Sequence, residues 1–224
     1  MEESMFELSC DAILFDLDGV LVDSSPVIQR QWQRWATLHK IDMAAIQAIW
    51  HGRRAFEIIG EVAPHLDVEE ESRWMRDAEA ADVEGVIEQP GAIALLKLLP
   101  AGSWAIATSG PRAVATARLD AVGIPIPQHF VTGDDVHNGK PHPEPYLLAA
   151  QKLGVAPERC VVIEDAVAGV EAGLAAGAQV IAVPTSHPAH ELTRATVIVP
   201  RLADMRVAVS TGPAMRLTLS GPNL

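Results

Sequence analysis

The chain has 224 residues, a formal net charge of −12, 49% hydrophobic and 21% charged residues, and a mean hydropathy of +0.16. That length buries a sizeable core, as one domain with an insertion or as two small domains, and the composition excludes a disordered chain. The negative balance argues against a nucleic-acid backbone or an anionic membrane as the main partner, so an anionic substrate would need a local positive device such as a metal, a lysine or a helix N-terminus.

The opening MEESMFELSC is acidic and lacks the basic start and apolar stretch of a secretory signal. No apolar run approaches membrane-spanning length. Cys10 and Cys160 each stand just before an expected strand and make no disulfide framework; they read as buried, reduced thiols of a cytoplasmic protein.

AILF at 12–15 has the length and β-former content of a buried strand. It runs into DLDGVLVDS at 16–24, which places two aspartates two residues apart, and then a glycine, where the strand ends. Once the backbone turns, the first carboxylate can point into a crevice while the second stands over it. Alone, such a stretch is an Asx turn leaving a strand.

Ser25 and Pro26 then suit the cap and first turn of a helix along which Ile28, Trp32, Trp35 and Leu38 recur. Asp42 can cap a second helix carrying Ile46 and Ile49, and Asp67 with Glu70 fits a capping box. Residues 23–89 therefore read as a small helical module with four of the five tryptophans as its core. The module carries 13 acidic and 7 basic residues, a balance of −6. Against that background HGRR, with His51, Arg53 and Arg54, reads either as solvated charge at a helix start or as a substrate contact.

Beyond Pro90 and Gly91 an apolar helix is expected over 93–99, followed by a strand in WAIATSG ending at Thr108, Ser109 and Gly110, with Pro111 opening the next helix. HFVTG at 129–133 reads as a third strand, and DDVHNGKPHPEP at 134–145 as a loop leading into a helix through Lys152. CVVIED at 160–165 reads as a fourth strand, followed by a helix over 166–177 stopped by Gly177. Gly169 and Gly173, four apart, suggest close packing of that helix on the sheet rather than chemistry. VIAV at 180–183 is a fifth strand, VIVP near Val199 a sixth, and the tail after Pro200 offers at most a final edge strand.

This alternation predicts an α/β fold, a doubly wound parallel sheet with right-handed crossovers, its ligand site at the carboxyl ends of the strands and the helical module hanging over that edge. Four segments then meet at one edge: Asp16 and Asp18, Thr108 and Ser109, Lys140, and Glu164 with Asp165. Each is unremarkable alone, but together they suit phosphoryl transfer. Oxygen ligands from Asp16 and Asp165, with a backbone carbonyl near Asp18, suit Mg²⁺. Lys140 and the metal offset the repulsion between carboxylate and phosphate, and Thr108 or Ser109 and the following helix N-terminus can hold phosphate oxygens. Asp16 would attack to give an aspartyl-phosphate, with Asp18 as acid and then base.

The stretches DLDGVLVDS, ATSG, GKPHPEPYL and IEDAVAG resemble the four motifs of the haloacid dehalogenase-like hydrolases, in the subgroup with a helical cap between the first two motifs. The resemblance implies a Rossmann-like core at 1–22 and 90–224 and a cap at 23–89. It implies Asp16 as nucleophile, Asp18 as acid/base, Thr108, Ser109, Gly110 and Lys140 as phosphate binders, and a Mg²⁺ site at Asp16, Asp18 and Asp165 with Glu164 beside it. HGRRAFEII, WAIATSG and GKPHPEPYL are most similar to glycerol-phosphate and 2-deoxyglucose-6-phosphate phosphatases. A small sugar phosphate or glycerol phosphate is therefore the expected substrate. β-Phosphoglucomutases resemble the chain too, but Ile28 stands where they carry a cap histidine. Asp18 argues against a dehalogenase, and Lys40, the only cap lysine, lies in a polar inter-helix stretch unsuited to a phosphonate hydrolase. A non-catalytic phosphometabolite-binding protein would show a damaged constellation, and here no member is missing. No apolar surface stripe calls for a dimer, so a monomer is expected.

Overall fold

The computed structural model describes residues 4–211 and 215–224. The first three residues of the acidic opening and residues 212–214 of the tail lie outside the described residues.

In chain order the elements are strands β1 (Ser4–Cys10), β2 (Ala12–Phe15) and β3 (Val22–Asp23), helices α1 (Ser25–His39), α2 (Met43–Gln47), α3 (Ala55–Val62) and α4 (Val68–Ala81), and strand β4 (Ile87–Glu88). Then follow α5 (Ala92–Leu98), β5 (Trp104–Ala107), α6 (Arg112–Val122), β6 (Phe130–Val131), α7 (Glu144–Leu153), β7 (Cys160–Glu164), α8 (Val167–Ala175), β8 (Gln179–Ala182), β9 (Val197–Ile198), β10 (Arg206–Thr211) and β11 (Met215–Asn223).

Six strands form one sheet in the order β6-β5-β2-β7-β8-β9, with every neighbouring pair parallel. The period of two along β2 splits its side chains between two apolar layers. Ile13 and Phe15 join Ile106, Val161 and Ile163 under α5 and α6, while Ala12 and Leu14 join Ala105, Val162 and Val180 under α7 and α8. A fully buried side chain such as Phe15 contributes ~1.5–3 kcal/mol to this core. Phe15 pairs with both Ile106 and Ile163, so the residues just past these three strands emerge together at the carboxyl edge.

Helices α1–α4 have their own apolar core of Trp32, Trp35, Ile46, Ile58, Ile59 and Met75. The module is tied at its base by the antiparallel pair β3 and β4. Asp42 and Asp67 cap α2 and α4 by accepting backbone N–H groups of Ala44, Glu69 and Glu70. Leu38, placed by spacing on the apolar face of α1, is instead 64% exposed, because that face turns on Val27, Trp32 and Trp35.

The tail departs most from the sequence expectation. β11 is the middle strand, not an edge, of a separate antiparallel sheet β1-β11-β10, and the opening segment supplies β1, which no local pattern announces. Phe6, Leu217 and Leu219 of this sheet close the same layer as α5 and α6.

Candidate active site

Asp16 leaves β2 with its N–H bound to the Ile163 carbonyl at 3.0 Å and its side chain buried. Lys140, from the loop between β6 and α7, places Nζ 2.6 Å from Asp16 Oδ1 and 2.6 Å from Glu164 Oε1. Tyr146 of α7 donates its hydroxyl to the same Glu164 oxygen at 2.6 Å, and Glu164 Oε2 accepts the N–H groups of Asp165 and Ala166 at 2.9 and 3.2 Å. A Cβ on Gly169 would overlap the Glu164 carboxylate, whereas one on Gly173 would press on Val162 and Val180. Gly173 therefore serves packing, as its spacing suggests. Gly169 makes room for a charged group of the site, a role the spacing alone does not distinguish.

Asp165 Oδ2 accepts a hydrogen bond from Ser186 Oγ, and Thr185 Oγ1 donates to the Gly19 carbonyl at 2.6 Å. Gly19 adopts φ of +82°, and a Cβ there would overlap the Asp165 carboxylate; only glycine suits this turn. Asp16, Glu164 and Asp165 each bring an oxygen within 4.8 Å of the others, all buried. Burial pushes Asp16 up to about 7, reinforced by Glu164 and Asp18 and opposed by Lys140. Burial, with Glu164 and Asp16, likewise raises Asp165 well above the carboxylate range. Glu164 goes the other way: burial would raise it, but Lys140, Tyr146 and the Asp165 N–H together hold it low. Burial alone would lower Lys140, yet the two carboxylates raise it, so it stays a cation. Three carboxylates thus face one ammonium in a buried site. Hard oxygen donors crowded together with too little positive charge to keep all three ionised fit a divalent cation such as Mg²⁺.

Asp18, two residues on, stands over the same crevice. Its Oδ1 accepts Ser24 Oγ at 2.6 Å and Arg118 Nη1 at 2.8 Å. Its carboxylate is not part of the acidic cluster. Thr108 Oγ1 accepts the Gly110 N–H at 3.1 Å, which leaves the Thr108 hydroxyl hydrogen free to donate. Ser109 Oγ instead donates to the Gly52 carbonyl of the cap at 2.7 Å. The first N–H of α6, on Arg112, is taken by Asp134 at 2.8 Å.

The three cap residues part company. His51 and Arg53 line the cavity above Asp16 and Asp18, beside Ile28, Trp32 and Trp50. His51 packs edge-on against His187 of the loop after β8, ring centres 4.8 Å apart, and burial together with His187 lowers it to about 4. Arg53 pairs with Glu61 at 2.9 Å. Arg54 does not line the cavity. It is held by Glu57 at 2.9 Å and donates to the carbonyls of Val136 and His137 at 3.2 and 3.0 Å, so it ties the cap to the loop that carries Lys140.

Several polar residues of the site escape sequence reasoning. Arg118 and Glu79 are 2% and 9% exposed and paired at 2.6 Å. Their signal is a charge on a buried stripe, since Arg118 shares its face of α6 with Val114, Ala115 and Leu119. Ser24 and Tyr146 lie inside the stretches DLDGVLVDS and GKPHPEPYL but nothing local assigns them a role, and Ser186 lies outside every motif.

Residues 10–177 match the family described as haloacid dehalogenase-like hydrolase. Hexitol phosphatase A of Escherichia coli (strain K12) is 46% identical over 181 residues, covering 79% of this chain and 84% of that protein. Glycerol-1-phosphate phosphohydrolase 2 of Saccharomyces cerevisiae is 37% identical over 191 residues, 80% and 76% of the two chains. Among solved structures, a hydrolase from Pseudomonas syringae superposes with a TM-score of 0.77 at 28% identity, covering 87% of this chain and 95% of that one.

Proposed function

Because the chain belongs to the haloacid dehalogenase-like hydrolases, we propose that it is a Mg²⁺-dependent phosphatase hydrolysing a small phosphate monoester, a polyol, glycerol or sugar phosphate. In this reading residues 1–22 and 90–224 are the phosphatase core and 23–89 the cap, and the enzyme is a cytoplasmic monomer. The observation that carries it is the meeting of Asp16, Asp18, Thr108 and Asp165 around one cavity, with Lys140 against Asp16. The names of the two curated relatives support the substrate class.

Asp16 attacks phosphorus, and the bond from phosphorus to the ester oxygen breaks as Asp18 gives its proton to that oxygen. Asp18 then takes a proton from water, whose oxygen attacks the aspartyl-phosphate; the bond to Asp16 breaks and inorganic phosphate leaves. Lys140 fixes the Asp16 carboxylate through one oxygen and offsets charge next to the phosphoryl group. Thr108 donates its free hydroxyl to a phosphate oxygen, with Ser109 and Gly110 completing the phosphate loop. Asp16, Glu164, Asp165 and the backbone near Asp18 would hold Mg²⁺, which when bound neutralises the phosphate charge that otherwise repels a carboxylate. His51 and Arg53 face the rest of the substrate, while Arg54 seats the cap.

Hydrolysis rather than phosphoryl shuttling to a second hydroxyl is favoured by Ile28, an apolar side chain on the cavity wall that cannot exchange a proton. The test is release of inorganic phosphate from a panel of hexitol, glycerol and 2-deoxyglucose phosphates with Mg²⁺. Turnover of at least one, abolished in Asp16→Asn, is expected; inertness across the panel would leave a binding protein in its place.

A further inference from the structure

Arg118 sits on α6 of the core, 2% exposed, between two carboxylates. Its Nη1 reaches Asp18 Oδ1 at 2.8 Å, and its Nη2 reaches Glu79 Oε2 on α4 of the cap at 2.6 Å. Its Nε–H is buried with no partner among the described residues, so the guanidinium plane is set by the two carboxylates alone. An arginine does not lose its proton in a protein and has no acceptor, so it cannot itself shuttle protons. It can only fix what it binds.

What it fixes is one particular oxygen. Ser24 Oγ also donates to Asp18 Oδ1, at 2.6 Å, so Oδ1 receives two donors. Oδ2 has no hydrogen bond among the described residues and faces Gly110 of the phosphate loop, where a Cβ would lie 4.0 Å away. Two donors on Oδ1 leave Oδ2 as the oxygen that can exchange a proton with the leaving group and then with water. The second anchor of the guanidinium comes from the cap: with Glu79 withdrawn, Arg118 would be held by Asp18 alone.

We propose that Arg118 is a positioning residue for Asp18 and that Glu79 completes it from the cap, so that Asp18 is aimed for proton transfer when the cap is seated. This rests on the phosphatase reading, in which Asp18 protonates the leaving oxygen. A group serving proton transfer is needed little when the leaving group is p-nitrophenolate, but it is needed for an alkyl ester and for hydrolysis of the aspartyl-phosphate.

The test compares wild type, Arg118→Lys and the double variant Arg118→Met/Glu79→Leu, which removes both buried charges together and strands neither. Rapid mixing with p-nitrophenyl phosphate reports phosphorylation as a burst of p-nitrophenolate, and steady-state turnover of glycerol phosphate reports the assisted steps. In the double variant the burst rate is expected within ~2-fold of wild type, while the steady-state kcat values for p-nitrophenyl phosphate and for glycerol phosphate each fall at least ~10-fold with KM within ~2-fold, as for loss of part of a general acid–base contribution. Equal loss in burst and steady state would assign Arg118 a structural role, and a raised KM with kcat kept would make it a substrate contact; either overturns the proposal, as does an unchanged variant. Arg118→Lys, which can face only one carboxylate well, is expected to fall between, and a lysine variant as fast as wild type would overturn the two-anchor arrangement. If the double variant does not fold, these readouts on Arg118→Lys decide. Wild-type turnover lost in Asp16→Asn tests the phosphatase reading separately.

Discussion

Lys140 Nζ lies 2.6 Å from Asp16 Oδ1, with the lysine side chain wholly buried and the aspartate nearly so. A buried ammonium in that position both holds the carboxylate and is held by it, so structure and chemistry depend on the same contact. Lys140→Met should leave Asp16 and Glu164 without their shared cation. Removing one partner of a buried pair costs about 3–5 kcal/mol, so metal-free urea denaturation should show a loss of that order. kcat should fall by roughly 10²–10³ as for a lost charge-stabilising donor. Stability and turnover both within error of wild type would count against the pairing.

Magnesium should stabilise the fold by binding the native state. At a concentration 100 times its dissociation constant the gain is ~2.7 kcal/mol, or roughly 5–10 °C in Tm for a chain of this size. Asp165 has a pKa raised by burial, Glu164 and Asp16. A carboxyl raised in the fold costs stability as pH climbs above its unfolded value. Asp165→Asn should therefore be at least as stable as wild type without metal at pH 7, yet gain less from Mg²⁺. Thermal melts of both proteins across a Mg²⁺ titration should cross; parallel curves would remove Asp165 from the site.

Gly169 and Gly173 separate packing from chemistry. Gly169→Ala should displace the Glu164 carboxylate and lower kcat beyond what its Tm loss explains. A Cβ in Gly173→Ala would press on Val162 and Val180; it should cost the ~1–3 kcal/mol of an overpacked core, read as a lower Tm, and leave kcat near wild type in the folded fraction. The comparison needs only Tm and kcat for each variant, and equal kcat losses would refute the distinction.

His51 gives an acid sensitivity of known sign. Burial and His187 lower it to about 4, while in the unfolded chain it titrates near ~6.5. The unfolded state therefore takes the proton first, and stability falls as pH drops from about 6.5 towards about 4, with no contribution above that window. His51→Gln should flatten the Tm-against-pH curve between those limits and leave it unchanged at pH 8. An identical slope in the variant would place the sensitivity elsewhere.

Asp16, Thr108 and Asp165 are legible in the sequence because each stands immediately past an apolar strand, β2, β5 and β7 ending at Phe15, Ala107 and Glu164. The cap helices are legible through their tryptophan spacing and their aspartate caps. β1 is not, because its partner β11 lies at the other end of the chain, and such pairing leaves no local trace. Arg118 is hidden for the opposite reason: its place on the apolar stripe of α6 marks a core position, and only the folded partners Asp18 and Glu79 explain a charge there. Which of Arg53 and Arg54 faces the cavity depends on how α3 meets the loop before Lys140, a tertiary relationship that two adjacent arginines do not reveal.

In the proposed reaction Asp16 carries the phosphoryl group between ester and water. Rapid acid quench of the enzyme mixed with Mg²⁺ and a hydrolysed ester, followed by peptide mass analysis, measures it directly. One added phosphoryl group is expected on the peptide containing Asp16, formed and lost at rates that match turnover and absent in Asp16→Asn. Turnover with no phosphorylated Asp16, or an Asp16→Asn enzyme that still hydrolyses the ester, would contradict it.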